Sequence, residues 1–241
     1  MAETPLQEQA AVVTGASQGI GRAVALRLAK MGAAVVLAAR SEQPLRDLAA
    51  EIQQFGGRAL PVVTDVRSEA AVSALFRAAL GGFGRLDLWV NNAGMAYSAG
   101  PLHETTPEAW AVMMDTNLRA VFYSIRAVAP HFIQNRSGHI INIASLAAYN
   151  PVPGRAAYAA AKAGVVSLSA SVAEELRVHG VRVSVVAPGS VDTDFSPPAA
   201  GGKNRARMLQ PDDIAHAVAM IVTQSPQSFV SEILIRPTLK P

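Results

Sequence analysis

Ala11-Val12-Val13-Thr14-Gly15-Ala16-Ser17-Gln18-Gly19-Ile20-Gly21-Arg22-Ala23-Val24-Ala25-Leu26-Arg27-Leu28 passes from an apolar run through a glycine-rich turn into a segment of helical period. Ala11–Val13 reads as a buried strand, and the pattern over Ala23–Leu28 belongs to a helix spanning Ile20–Met31. Between them Gly15, Gly19 and Gly21 let the backbone turn tightly and come close to a bound anion. The free N–H groups opening the helix supply donors and the positive end of its dipole. A dinucleotide pyrophosphate suits that turn, with Gly15, Ser17, Gln18, Gly19 and Ile20 around it. Three glycines between a strand and a helix can also make nothing more than a tight turn. The rest of the chain has to decide.

Further along, Ala33–Ala39, Ala59–Thr64, Leu86–Asn91, His139–Ala144, Val181–Ala187 and Ile233–Ile235 read as strands. The segments Gln43–Phe55, Ser68–Leu80, Pro107–Gln134, Ala156–His179 and Pro211–Thr223 have helical period and are long enough to be crossovers. Strands with few polar residues alternating with helices predict an α/β fold: a doubly wound, parallel, seven-stranded sheet with helices on both faces, the Rossmann arrangement. One domain over residues 1–241 is expected, and no internal repeat interrupts it. Ser196–Asn204, rich in Pro, Gly and Ala, reads as a mobile loop that either closes over a ligand or forms a surface excursion.

Composition narrows the function classes. The sequence is 50% hydrophobic and 16% charged, enough to bury one large core, and its +3 charge comes from 21 basic and 18 acidic residues spread along the chain. No basic tail or patch suggests nucleic acid. Cysteine is absent, which excludes disulfides and thiolate metal sites, and the five histidines lack metal-ligand spacing, so no metal is expected. Met1–Gln9 has no apolar core of a secretory signal, and no apolar run approaches the roughly 18 residues of a membrane span. A cytoplasmic, non-membrane protein is the expectation. Trp89 and Trp110 read as core and boundary packing.

The chemistry-bearing residues sit just past the strands. Asn91-Asn92-Ala93-Gly94 ends the fourth, Ser145 follows the fifth, and Pro188-Gly189, with Val191 and Thr193 beyond it, ends the sixth. Tyr158 and Lys162, four apart in an Ala-rich helix, project from one face. Together with the spacing Gly-x-x-x-Gly-x-Gly, these motifs occur in an order that resembles the short-chain dehydrogenase/reductase family from about Val12 to Thr193. The resemblance implies an oxidoreductase. Tyr158 would be the general acid/base, donating its proton to a carbonyl oxygen as the nicotinamide delivers hydride, or running the same steps backwards. A tyrosine with an ordinary pKa of about 10 needs help to act near neutrality, which a nearby ammonium and a positively charged nicotinamide supply. Ser145 would hold the substrate oxygen, Lys162 would also bind the nicotinamide ribose, and Asn117 would help hold a water through which Lys162 exchanges protons. Asn92, Ala93 and Gly94 would lie against the cofactor. Pro188, Gly189 and Val191 would lie against the cofactor, Thr193 with the neighbouring backbone would reach the carboxamide, and Asp65-Val66 the adenine, although Asp65 stands equally well to cap the helix near Ser68. Relatives are generally homotetramers or dimers built through helices that correspond here to Pro107–Gln134 and Ala156–His179.

Which cofactor follows from the end of the second strand. An NAD enzyme carries a carboxylate about 20 residues beyond the glycines. Here the sequence reads Leu37-Ala38-Ala39-Arg40-Ser41. Arg40 offers a charged planar fork to a 2′-phosphate and Ser41 a further donor, so NADP(H) is favoured. NAD(H) stays open, because Gln18 stands where many NADP-using relatives carry a basic residue. Met95, Tyr97, Leu146, Tyr149 and Phe195 are candidates to line an apolar pocket for a small-molecule ketone, aldehyde or 3-oxoacyl thioester. The pattern is similar to 3-oxoacyl carrier-protein reductases, though the ending Ser231–Pro237 departs from it. Two other readings stand beside this one. The first is an NAD-dependent alcohol dehydrogenase, which Arg40 disfavours. The second is an NADP(H)-sensing protein without turnover, against which Ser145, Tyr158 and Lys162 speak.

Overall fold

The computed structural model describes residues 4–96, 100–195 and 204–241. In chain order its regular elements are β1 (Ala10–Thr14), α1 (Gly19–Lys30), β2 (Ala34–Ala39), α2 (Glu42–Gln54), β3 (Arg58–Val63), α3 (Glu69–Phe83) and β4 (Leu88–Asn91). There follow α4 (Pro107–Met114), a π-helical segment (Asp115–Arg119), α5 (Ala120–Asn135), β5 (Gly138–Ile143), α6 (Ala156–Arg177), β6 (Val181–Pro188), α7 (Pro211–Val222) and β7 (Glu232–Ile235). All seven strands are parallel, in the order β3-β2-β1-β4-β5-β6-β7. The order reverses between β1 and β4, and the C-terminal ends of strands at such a switch point form the crevice where α/β proteins bind ligands.

Two apolar layers explain the helices. On one face α1, α2 and α7 bury Val24, Leu28, Leu45, Ile52, Ile214 and Val218 against Ala11, Val13, Val35 and Leu37. On the other, α3, α5 and α6 bury Val72, Leu75, Val128, Phe132 and Val165 against Val12, Val36 and Trp89. Alternate residues of β1 and β2 thus serve opposite layers, as the two-residue strand period requires. Burial on both faces holds for the inner strands, whereas β3 and β7, at the edges, are half-exposed.

Three expectations need correction. The helix expected over Pro107–Gln134 is broken by the π segment, in which Thr116 Oγ1 and Asn117 Nδ2 donate to the carbonyls of Val112 and Met113. A single-turn widening of this kind leaves the apolar pattern intact on both sides and so does not show in the sequence. Next, α6 is long and apolar enough by composition to cross a membrane, with a mean hydropathy of 1.3. Its many alanines raise that mean, and its buried face packs on β6 and carries Lys162 and Ser169. Finally, Trp89 does more than pack. Its Nε1 donates to Asn91 Oδ1, Asn91 Nδ2 to Asn142 Oδ1, and Asn142 Nδ2 to Ser169 Oγ, each at 2.8 Å. Ser169 Oγ closes the chain on the Val165 carbonyl. These buried polar groups satisfy one another from β4 through β5 to α6.

Candidate active site

Beyond β1 the backbone turns through Gly15 (φ 66°) and Gly19 (φ 54°), left-handed values that glycine adopts without strain. Gly21 is required for a different reason, since a Cβ there would lie 2.2 Å from the Gly15 carbonyl oxygen and 2.4 Å from Asn92 Nδ2. Thr14, buried at the end of β1, ties this turn to the end of β4. Its hydroxyl donates to the Val90 carbonyl and accepts from the N–H groups of Asn92 and Ala93, both at 3.0 Å. Asn92 Nδ2 returns a bond to the Thr14 carbonyl at 2.9 Å. The helix that follows has no acidic residue in its first turn, and Gln18, extended at the N-cap, makes no side-chain cap bond. Ser17 and Ile20 are half-buried along the turn and Gln18 is exposed. The first-turn donors of α1 therefore face a side that no capping carboxylate or hydroxyl of its own claims.

At the next strand ends, Arg40 is exposed and Ser41 opens α2 without a side-chain cap bond. Val66 is buried. Asp65 does not cap α3, a role that falls to Ser68, whose Oγ accepts from Ala71 N–H. The Asp65 carboxylate accepts instead from the backbone N–H, Nε and Nη2 of Arg67.

The acid–base residues converge farther along the same edge. Ser145 follows β5 and accepts from Ala147 N–H at 3.1 Å. Tyr158 is buried on α6, with Ser145 beside its hydroxyl. Burial holds the phenol above its ordinary value, and the neighbouring Ser145 hydroxyl and the charge of Arg155 act against that. The expected lowering of the tyrosine is thus absent in the chain by itself. Lys162 Nζ sits 5.9 Å from the Tyr158 ring centroid and donates to the Ile143 carbonyl at 2.9 Å. Burial pushes that ammonium down to about 8. Asn117 lies in the π segment and bridges inward, with Oδ1 accepting from Met95 N–H at 3.1 Å and Nδ2 donating to the carbonyls of Met95 and Met113 at 3.0 Å. Gly94 is where these groups meet. A Cβ on it would lie 2.8 Å from Asn117 Oδ1, 3.6 Å from Lys162 Nζ and 3.7 Å from Phe195 Cε2.

Phe195 also faces Tyr158, ring centroids 6.3 Å apart. Thr193 stands over Gly19, whose Cβ would meet its methyl at 3.1 Å. Gly189 N–H donates to the Ile235 carbonyl, which places Pro188 and Gly189 beside β7, and Val191 bridges to Leu209. Leu146 approaches Gly189, and Tyr149 is exposed. Tyr97 and residues 196–203 of the expected loop lie outside the described residues. Two residues of this edge, Thr14 and Arg67, were not among the candidates that the sequence offered. Only Thr14 carried a signal, a hydroxyl at the last strand position before the first glycine.

The short chain dehydrogenase family profile matches residues 9–203. The chain belongs to the short-chain dehydrogenase/reductase family. An uncharacterized oxidoreductase of Staphylococcus saprophyticus is 38% identical over 233 residues, covering 96% of this chain and 98% of the relative. Among solved structures, a metagenomic short-chain oxidoreductase in complex with NADP is 46% identical, with a TM-score of 0.86 over 98% of this chain and 100% of that one. An alcohol dehydrogenase from the archaeon Thermococcus sibiricus, complexed with 5-hydroxy-NADP, is 30% identical, with a TM-score of 0.87 over 97% and 98% of the two chains. This short-chain dehydrogenase/reductase is accordingly an oxidoreductase that uses a nicotinamide cofactor.

Proposed function

We propose that the protein is an NADP(H)-dependent carbonyl reductase in which Tyr158 is the general acid and base. The observation that carries this reading is the convergence of Ser145, Tyr158 and Lys162 with Gly94 at the C-terminal edge of the sheet, beside a glycine turn free of its own cap. The residues fit a dinucleotide: Gly21 and Gly94 are kept without side chains where a Cβ would collide, and α1 opens without a competing carboxylate. Gly15, Ser17, Gly19 and Ile20 would hold the pyrophosphate, Asn92, Ala93 and Lys162 the nicotinamide ribose, Thr193 the carboxamide end, and Arg40 with Ser41 the 2′-phosphate. When bound, the cofactor supplies or accepts the hydride.

The chain's own part is the proton. Tyr158 Oη would give its proton to the carbonyl oxygen, with the Ser145 hydroxyl holding that oxygen in line. Burial keeps Tyr158 protonated and so suits it to act as the acid in reduction. Lys162, near pH 8 divided between its charged and neutral forms, would pass a proton toward Tyr158. Asn117 positions Met95 and the backbone around Gly94. Phe195 and Leu146 favour an apolar substituent on the substrate, such as that of a ketone or a 3-oxoacyl thioester.

Nicotinamide absorbance followed with NADPH and NADH against a panel of ketones, aldehydes and 3-oxoacyl thioesters tests the reading. Turnover with NADPH is expected to fall about 1,000-fold or more in Tyr158→Phe while NADPH binding persists. Undiminished turnover in that variant would refute the role of Tyr158, and equal use of the two cofactors would refute that of Arg40.

A further inference from the structure

Arg40 does not stand alone at the end of the sheet. Ala39 pairs with Val63 across β2 and β3, and Thr64 N–H donates to the Ala39 carbonyl at 2.8 Å. Arg40, the first residue beyond β2, and Asp65, the second beyond β3, therefore leave the sheet close together, and the carboxylate of Asp65 feels the charge of Arg40. A ligand phosphate drawn to Arg40 meets a negative carboxylate next to it, an arrangement that by itself works against a doubly charged anion. Arg67 changes that balance. Its Nη2 reaches Asp65 Oδ2 at 2.6 Å, its Nε lies 3.0 Å from Oδ1 and 3.1 Å from Oδ2, and its backbone N–H donates to Oδ1 at 3.0 Å. The fork is engaged along one edge, as planar guanidinium–carboxylate pairing demands.

Resting on the NADP(H) reading above, we propose that Arg67 sets the cofactor preference as a positioning residue, by neutralising and fixing Asp65 so that Arg40 presents a net positive site to a 2′-phosphate. The three side chains together carry one net positive charge, from two guanidinium groups and one carboxylate. Without Arg67 the local charge is zero. NAD(H) lacks the 2′-phosphate and is indifferent to this change, whereas both dinucleotides share the adenosine. The ratio of their affinities therefore cancels any effect of the substitution on the adenine itself.

The experiment is calorimetric titration of the full chain with NADPH and with NADH, in the wild type, Arg67→Gln and the double variant Arg67→Gln/Asp65→Asn, at low salt. The wild type is expected to favour NADPH. Arg67→Gln should lower the NADPH-to-NADH affinity ratio about fivefold, nearly all of it through NADPH, the scale of an interaction between partly exposed charges. Adding Asp65→Asn should restore the ratio, since the charge that Arg67 masked is gone. A ratio unchanged within about twofold in Arg67→Gln would overturn the inference. A ratio that falls and is not restored by Asp65→Asn would overturn it too, because Arg67 would then be gripping the phosphate directly. Equal wild-type affinities for the two nucleotides, or no binding of either, would instead bring down the cofactor reading on which the inference rests.

Discussion

Replacing Lys162 by methionine removes a buried ammonium that the fold holds at a pKa of about 8, against an ordinary lysine value of 10.5. Burial is the cause, so the folded chain releases this proton more readily than the unfolded chain. Between about pH 8 and 10.5 the unfolded state binds more protons, and stability rises with pH across that window. At pH 7 both states are protonated and the penalty stands nearly in full. At about 1.4 kcal/mol per pH unit, the displacement corresponds to roughly 3 kcal/mol over the whole window. About 2 kcal/mol of it falls between pH 7 and 10. Tyr158, whose pKa is raised, contributes with the opposite sign above pH 10, which makes that pH the sensible upper limit. Urea unfolding at pH 7, 8, 9 and 10, at fixed protein concentration, should show the wild type gaining about 2 kcal/mol on Lys162→Met as pH rises. A difference between the two proteins that stays constant within about 0.5 kcal/mol would refute the claim that burial dominates the lysine's titration.

Gly21→Ala should weaken NADPH binding at least about tenfold by calorimetry, because the new Cβ would fall 2.2 Å from the Gly15 carbonyl and force the turn apart. Thr14→Val keeps the shape of the side chain but leaves the N–H groups of Asn92 and Ala93 without their acceptor, and should lose about 1–3 kcal/mol in chemical unfolding. Ser169→Ala should cost about 1–2 kcal/mol and lower kcat more than it raises KM, since Asn142 Nδ2 loses its acceptor beneath the reacting residues. The family's habit of assembling through helices corresponding to α5 and α6 leads us to expect a light-scattering mass of two or four chains, and a mass of one chain would refute it.

The sheet was legible because its inner strands are buried on both faces, so short apolar runs marked them within a residue or two. Glycines at the first turn were legible because backbone conformation leaves few alternatives there. Ser145, Tyr158 and Lys162 were found through their motif and spacing, and folding brings them to one edge. The π segment was not legible, since widening one turn leaves the polarity pattern untouched. The roles of Thr14 and Arg67 depend on which strand ends become neighbours, and parallel pairing across long crossovers is set by tertiary contacts. The state of Tyr158 in the chain without cofactor was not legible for a related reason. Proximity to Lys162 was readable from the spacing, but not the burial of both groups or the attachment of the ammonium to Ile143.

The polar chain from Trp89 to Ser169 acts as an index mark on α6. A helix packed only through alanine and valine can slide or rotate on a sheet at little cost, because one small apolar contact replaces another. Ser169 lies two turns beyond Lys162 on the same face, and its bond to Asn142 is satisfied at one screw position only. Together with the bond from Lys162 Nζ to the Ile143 carbonyl, that detent fixes where Tyr158 comes to rest above the sheet. The apolar face of α6 is thereby left free to change in sequence without moving the hydroxyl of Tyr158.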